Sequence, residues 1–232
     1  VGLIGVALVV ILVTLFHVGF AGAVEKEERS LDSGIKVVPS AETVWNTIKD
    51  RSADSSLGTP FRRYAMRTMP VYGKEFHSTL IEYPYGSSMR TDSLAAKPAH
   101  GIILYVHGYN DYFFQKELAE KADSAGYAFF AIDLHYCGRP LMPGAARRDT
   151  RNMRQSSAEL DYAVELARVI TKERAESLAL LSERADTADT TGRERRLLDV
   201  SRRAYSLPMV LMGHSQGGLL AAFYADHRPE EK

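Results

Sequence analysis

The chain has 232 residues, is 45% hydrophobic and 25% charged, and carries 29 basic against 29 acidic side chains. This is globular composition with enough apolar material for one sizeable core, and zero net charge leaves no electrostatic footprint for a nucleic-acid partner. A single cysteine, Cys137, excludes an internal disulfide and builds no metal constellation.

Residues 1–24 carry no charged side chain apart from His17 and are dominated by Val, Leu, Ile, Ala and Gly. As a helix they would run about 36 Å, against a hydrocarbon core of about 30 Å. The stretch reads as a membrane anchor or a signal segment, the second because Ala21-Gly22-Ala23 fits a signal-peptidase site. Glu25-Lys26-Glu27-Glu28-Arg29 is not net basic, which favours the non-cytoplasmic side. The expected protein is therefore membrane-anchored or secreted. Residues 25–60 are polar, are interrupted by Gly34, Pro39, Gly58 and Pro60, and read as a stalk. Within it, Ala41 to Asp50 suggests a short helix with Ser40 as its N-cap. Residues 61–232 read as the globular domain.

That domain opens with an antiparallel pair, Tyr64 to Tyr72 and Phe76 to Tyr85, turning at Gly73. Gly101-Ile-Ile-Leu-Tyr-Val106 is a continuous apolar run, the signature of a strand buried on both faces. It ends in His107-Gly108-Tyr109-Asn110-Asp111. Asp111 reads as the cap of a helix with Leu118, Ala119, Ala122 and Ala125 on one face, stopped by Gly126. A third strand, Tyr127 to Leu134, leads to Asp133-Leu-His-Tyr-Cys-Gly-Arg-Pro140. Ser156-x-x-Glu159 matches a capping box, and Leu160, Ala163, Val164, Ala167 and Ile170 keep helical spacing behind it. These two helices are the crossovers that parallel strands need. The stretch 171–206 is rich in Arg and Glu and reads as a charged helical insertion: a helix past Leu181, a break near Thr187–Gly192, and a return from Arg193 to Tyr205. It is read as a solvated hairpin, or alternatively as an arm that docks a protein partner.

The last segment carries the chemistry. Gly213-His214-Ser215-Gln216-Gly217 fits the G-x-S-x-G nucleophile elbow, with an apolar strand (Pro208 to Met212) entering and a small-residue helix (Gly218 to Ala225) leaving. A serine hydroxyl needs a base to become a nucleophile, and the elbow holds it proud of the sheet at about 1–3 kcal/mol of backbone strain. Gly213 and Gly217 flank it because a Cβ would clash where strand and helix cross. The Gln216 backbone N–H, at the helix start, points at the reacting centre and serves as one oxyanion donor. The His-Gly loop is where the second donor originates, the Tyr109 backbone N–H, with His107 structuring the loop and Gly108 completing the motif. His214 adjoins Ser215 but is expected to point away from it.

Strand-His-Gly, strand-Asp133…Gly138-Arg139-Pro140 and strand-Gly-His-Ser-Gln-Gly-Gly, in this order, resemble the α/β-hydrolase superfamily, and within it the lysophospholipase, monoacylglycerol-lipase and serine aminopeptidase S33 branch. The resemblance covers roughly residues 66–228, the N-terminal half of such a fold, and Tyr136, Cys137 and Pro140 depart from that branch's usual third-strand pattern. It implies a mostly parallel sheet flanked by helices and a serine hydrolase that forms an acyl-enzyme on Ser215. It implies as substrate a carboxylic ester, lipid-like or small, with no cofactor. An acyltransferase or peptidase on the same site, or a non-catalytic binding protein of this fold, are the alternatives. The order Ser, then Asp or Glu, then His puts both triad partners beyond residue 232. His227 lies most of a helix away from Ser215, about 18 Å at 1.5 Å per residue, far outside hydrogen-bond reach. His135 follows the third strand on the catalytic side and is the nearest substitute in this chain.

Overall fold

The computed structural model describes residues 39–71, 74–88, 98–140, 153–182 and 190–227. The hydrophobic segment 1–24, the turn at Gly73 and the first part, 187–189, of the break expected near Thr187–Gly192 lie outside the described residues, while 190–192 are helical. Among the described residues no helix is long and apolar enough to cross a membrane.

Residues 39–60, expected within a polar stalk, instead build the edge of the sheet. Ser40 caps α1 (Ala41–Thr47) by accepting the Thr43 N–H at 3.2 Å, as the sequence suggests. The helix then ends early, at Thr47, and the chain continues as β1 (Ile48–Ala53), a strand of alternating exposure. Val44 of α1 is fully buried, which ties this segment to the domain core. Next come β2 (Arg62–Val71) and β3 (Lys74–Tyr83), the expected antiparallel pair, in register from Arg62 opposite Glu82 to Thr68 opposite Phe76.

The remaining elements are β4 (Gly101–Val106), α2 (Lys116–Ser124), β5 (Tyr127–Asp133), α3 (Met153–Ser182), α4 (Thr190–Tyr205), β6 (Met209–Gly213) and α5 (Gln216–His227). They form one six-stranded sheet in the order β1-β2-β3-β5-β4-β6. The sheet is mixed rather than mostly parallel. The pairs β1–β2, β2–β3 and β3–β5 are antiparallel, and only β5–β4 and β4–β6 are parallel. Helices intervene between the parallel strands, whereas β1, β2 and β3 follow one another directly, and β3 pairs with β5 across the intervening β4 and α2.

β4 is buried at every position, which its uninterrupted apolar sequence requires. Ile102, Leu104 and Val106 join a core with Leu160, Ala163 and Ala167 of α3 and Leu220 and Tyr224 of α5. Ile103 and Tyr105 face the other way, into a second core with Ala119 and Ala122 of α2, Phe113 and Phe129. Helices thus cover both faces of the sheet. Gly126 ends the α2 turn at φ 87°, a left-handed conformation that suits glycine.

Two capping expectations are corrected. α2 begins at Lys116 with Gln115 in the cap position, so Asp111 is too far upstream to cap it. Ser156 and Glu159 lie inside α3, and the Glu159 carboxylate turns instead to His135, accepting its backbone N–H at 3.0 Å and binding its Nδ1 at 2.6 Å. The local pattern fitted a cap, but a buried partner 24 residues away outbids the helix end.

The loops that follow β1, β4 and β5 are held by a buried ion network. Asp54, just after β1, receives Arg139 Nε at 2.5 Å and Nη2 at 3.0 Å. Asp133, at the end of β5, receives Arg139 Nη1 at 2.8 Å and the Phe113 N–H at 2.8 Å. Arg139 Nη1 also donates to the Phe113 carbonyl at 3.0 Å. One guanidinium therefore joins the β1–β2 connection, the segment after β4 and the segment after β5. Gly138 sits at φ 54°, and a Cβ there would run into Asp133 Oδ2 and the Tyr112 Cβ. Cys137 fills space nearby and is buried.

The insertion forms two helices as expected, but α4 begins at Thr190, three residues earlier than the sequence suggests. Its C-terminal end is fixed to α3. Tyr205 Oη donates to Glu165 at 2.7 Å, and Arg168 Nη1 donates to the carbonyls of Tyr205 (2.9 Å) and Leu207 (3.1 Å). These bonds set the entry of the chain into β6.

Candidate active site

Ser215 stands between β6 and α5 at φ 55° and is exposed. A left-handed conformation costs an L-residue about 1–2 kcal/mol, so the surroundings must impose it. Two glycines show how. A Cβ on Gly213 would overlap the backbone of Gly217 and Gly218, and a Cβ on Gly217 would overlap the carbonyl oxygens of Val106 and His107. The elbow thus closes on itself and on the end of β4, backbone against backbone. The turn is sealed by the Gly217 N–H donating to the His214 carbonyl (2.9 Å) and the Gly218 N–H to the Ser215 carbonyl (3.0 Å). In an open helix, alanine in place of glycine stabilises by about 1 kcal/mol. At position 217 the overlap reverses the sign. Gly217→Ala is expected to lower stability by about 1–3 kcal/mol, the cost of overpacking, read as a lower urea midpoint. An unchanged or raised midpoint would show that the contact yields.

Gln216 is the first residue of α5, so its backbone N–H is among those a helix leaves without an intrahelical acceptor. The positive end of α5 therefore lies next to Ser215.

The loop after β4 packs against this elbow. The His214 N–H donates to the Val106 carbonyl at 3.1 Å, which extends the β4–β6 pairing to the turn. A Cβ on Gly108 would stand 3.3 Å from the Ser215 Cβ and 2.9 Å from His214 Nδ1. His107 is buried and both its nitrogens are engaged. Nε2 accepts the Leu134 N–H at 3.1 Å, so Nδ1 carries the proton and donates to the Gly108 carbonyl at 2.8 Å. In a trans peptide the Gly108 C=O and the Tyr109 N–H point opposite ways. Fixing the carbonyl fixes the direction of the Tyr109 donor. Tyr109 itself is 60% exposed, and Asn110 follows at φ 63°.

Three further histidines, His135, His214 and His227, are placed as follows. His135 is buried, with Gln155 Nε2 donating to its Nε2 at 3.0 Å and its Nδ1 bound to Glu159, so both ring nitrogens are engaged. Burial pushes the Glu159 carboxyl above its ordinary value, against the pull of His135. His227, in the last turn of α5, bonds the Phe223 carbonyl through Nδ1 at 2.8 Å and stacks on the Phe223 ring. His214 does not simply point away from the site: its ring lies over Gly108, with Nδ1 3.7 Å from Asp111 Oδ2. That contact, like the Arg139 network and the His135–Glu159 pair, joins residues too distant in sequence for spacing to reveal. Among the described residues no group of His, Cys, Asp and Glu could hold a metal ion.

No protein-family model matches this sequence, and no curated protein matches it. Solved structures do show likeness. A probable hydrolytic enzyme from Pseudomonas aeruginosa PAO1 is 15% identical at a TM-score of 0.40, with 78% of this chain and 43% of that chain covered. The thioesterase domain of the curacin biosynthetic pathway is 19% identical at 0.37, over 72% and 43%. Acetyl xylan esterase 1 from Thermoanaerobacterium sp. JW/SL YS485 is 15% identical at 0.35, over 83% and 57%. The chain therefore spans about half the length of the structures it resembles.

Proposed function

We propose that this chain carries the nucleophile and oxyanion elements of a serine hydrolase of the α/β-hydrolase kind, within its lysophospholipase, monoacylglycerol-lipase and S33-like branch. The observation that carries the reading is Ser215 held at φ 55° between two glycines whose Cβ positions are filled by backbone. A solvated turn has no reason to maintain that strain on a serine. In the proposed reaction Ser215 Oγ attacks the carbonyl carbon of a carboxylic ester while a histidine base takes its proton. The Tyr109 and Gln216 N–H groups receive the oxyanion. The alcohol leaves with the proton, and water then releases the acid from the acyl-serine. The histidine and its acidic partner are assigned to sequence beyond residue 232, a placement supported by the separate engagements of His107, His135 and His227.

The substrate class proposed is a small acyl ester or a lipid-like ester. If residues 1–24 anchor or export the protein, the site works on the non-cytoplasmic side, at or near a membrane.

The test is a fluorophosphonate probe on the full-length protein with the adduct mapped by mass spectrometry. One adduct on Ser215 is expected. Folded protein that takes up no probe at Ser215 would favour a non-catalytic role instead.

A further inference from the structure

We propose that Asp111 is a positioning residue that works through His214, the pair holding the loop after β4 against the elbow so that the Tyr109 N–H meets the developing oxyanion. The inference rests on the serine-hydrolase reading above.

Asp111 has no part in starting α2, whose cap position is Gln115. Its Oδ1 accepts the Tyr112 N–H at 2.9 Å, which orients the carboxylate, and its Oδ2 lies 3.7 Å from His214 Nδ1. His214 is the neighbour of Ser215 on the strained turn. Its ring is 66% exposed, yet it lies across Gly108. That approach requires residue 108 to lack a side chain, since a Cβ would stand 2.9 Å from Nδ1.

The candidate donor therefore sits between two ties. On one side His107 Nδ1 holds the Gly108 carbonyl. On the other, His214 reaches Asp111, three residues further on. The stretch between them is exposed at Tyr109 and Asn110 and turns at Asn110 (φ 63°), a left-handed conformation that asparagine adopts readily. Asp111 and His214 supply the tie on the far side.

The size of the contact decides where its loss should show. A contact at 3.7 Å with one partner, His214, 66% exposed contributes little to folding. Donor placement is far more sensitive, because a shift of about 1 Å at a reacting centre costs about a hundredfold in rate. Removal of the tie should thus lower kcat and leave both the unfolding midpoint and KM nearly unchanged.

The experiment uses the full-length protein, with fluorophosphonate labelling rates and p-nitrophenyl butyrate kinetics for wild type, Asp111→Ala, His214→Ala and the double variant. Each single variant is expected to lose about 10- to 100-fold in kcat and in labelling rate, with KM within about twofold. The double variant should be no worse than the weaker single, as two halves of one device behave. His214→Phe keeps a flat ring over Gly108 without the nitrogen, so it carries the test if an alanine variant fails to fold, and it should show the same loss. Wild-type kcat in the Asp111 or His214→Phe variant, or losses that simply multiply, would overturn the proposal. A wild type that takes up no probe sinks the hydrolase reading and this inference with it. A wild type that labels beside variants that label equally fast sinks this inference alone.

Discussion

Ser215→Gly is expected to raise stability by about 0.5–1 kcal/mol and to lower ester turnover by about 10⁴- to 10⁶-fold. The two effects share one cause. At φ 55° a serine carries about 1–2 kcal/mol of strain that glycine does not. Part of that gain returns to the unfolded chain, which glycine makes more flexible. The same substitution removes the only hydroxyl of the 213–217 turn, so on the proposed mechanism acylation stops and only the contribution of the oxyanion donors and binding survives. Urea unfolding and ester turnover on the same preparations check both halves. A less stable variant would argue against strain at 215, and undiminished turnover would argue against serine chemistry there.

Arg139→Met should cost about 3–5 kcal/mol of stability at neutral pH, the range for breaking a buried ion pair from one side. The guanidinium is almost wholly buried between Asp54 and Asp133, whose side chains are no more exposed than 1%. Removing it leaves two carboxylates in the interior without a cation. In the wild type, burial alone would raise the Asp54 carboxyl, but the hydrogen bond and charge of Arg139, with the Leu57 and Ser56 N–H groups, hold it below its ordinary value. A depressed carboxyl contributes stability that is present above its unfolded value, about 4, and is lost as pH falls through the folded one. In the variant the balance inverts: burial now favours the protonated acid, so acid relieves the damage. The gap in unfolding free energy between the two proteins should therefore be widest near pH 7 and narrow below about pH 4. Equal midpoints at pH 7 would contradict this account of the network.

What the sequence discloses depends on how far apart the partners are. β4 is legible because burial on both faces demands an unbroken apolar run, and Gly101 to Val106 supplies one. The elbow is legible because its constraints are local, with Gly213, Ser215 and Gly217 answering to atoms a few residues away and to the end of β4. β1 is hidden for the opposite reason. Ile48-Lys49-Asp50-Arg51-Ser52-Ala53 is an edge strand with one half-buried face, and its polar content resembles a linker. Strand direction is also invisible in composition: the β2–β3 pair is legible as a hairpin, but the antiparallel pairings of β1 with β2 and of β3 with β5 emerge only from the register. Asp111 and Glu159 both sit where helix caps are commonly found, and each is claimed by a tertiary partner instead. Arg139 and Asp54 are separated by 85 positions, and nothing near either one points to the other.

The pairing of β4 with β6 sets an order of events during synthesis. Ile102 lies opposite Met209, so β4 leaves the ribosome about a hundred residues before the strand that completes its second edge. At about 5–20 residues per second, that edge waits roughly 5–20 s. Through this interval the His107–Gly108 loop has no elbow to rest on, since the Ser215 Cβ and the His214 ring that cover Gly108 have yet to be made. An apolar edge left open for seconds is a template for wrong pairing. The charged insertion, 171–206, accounts for about a third of that interval, so its length sets part of the delay before the 213–217 turn can close over the loop.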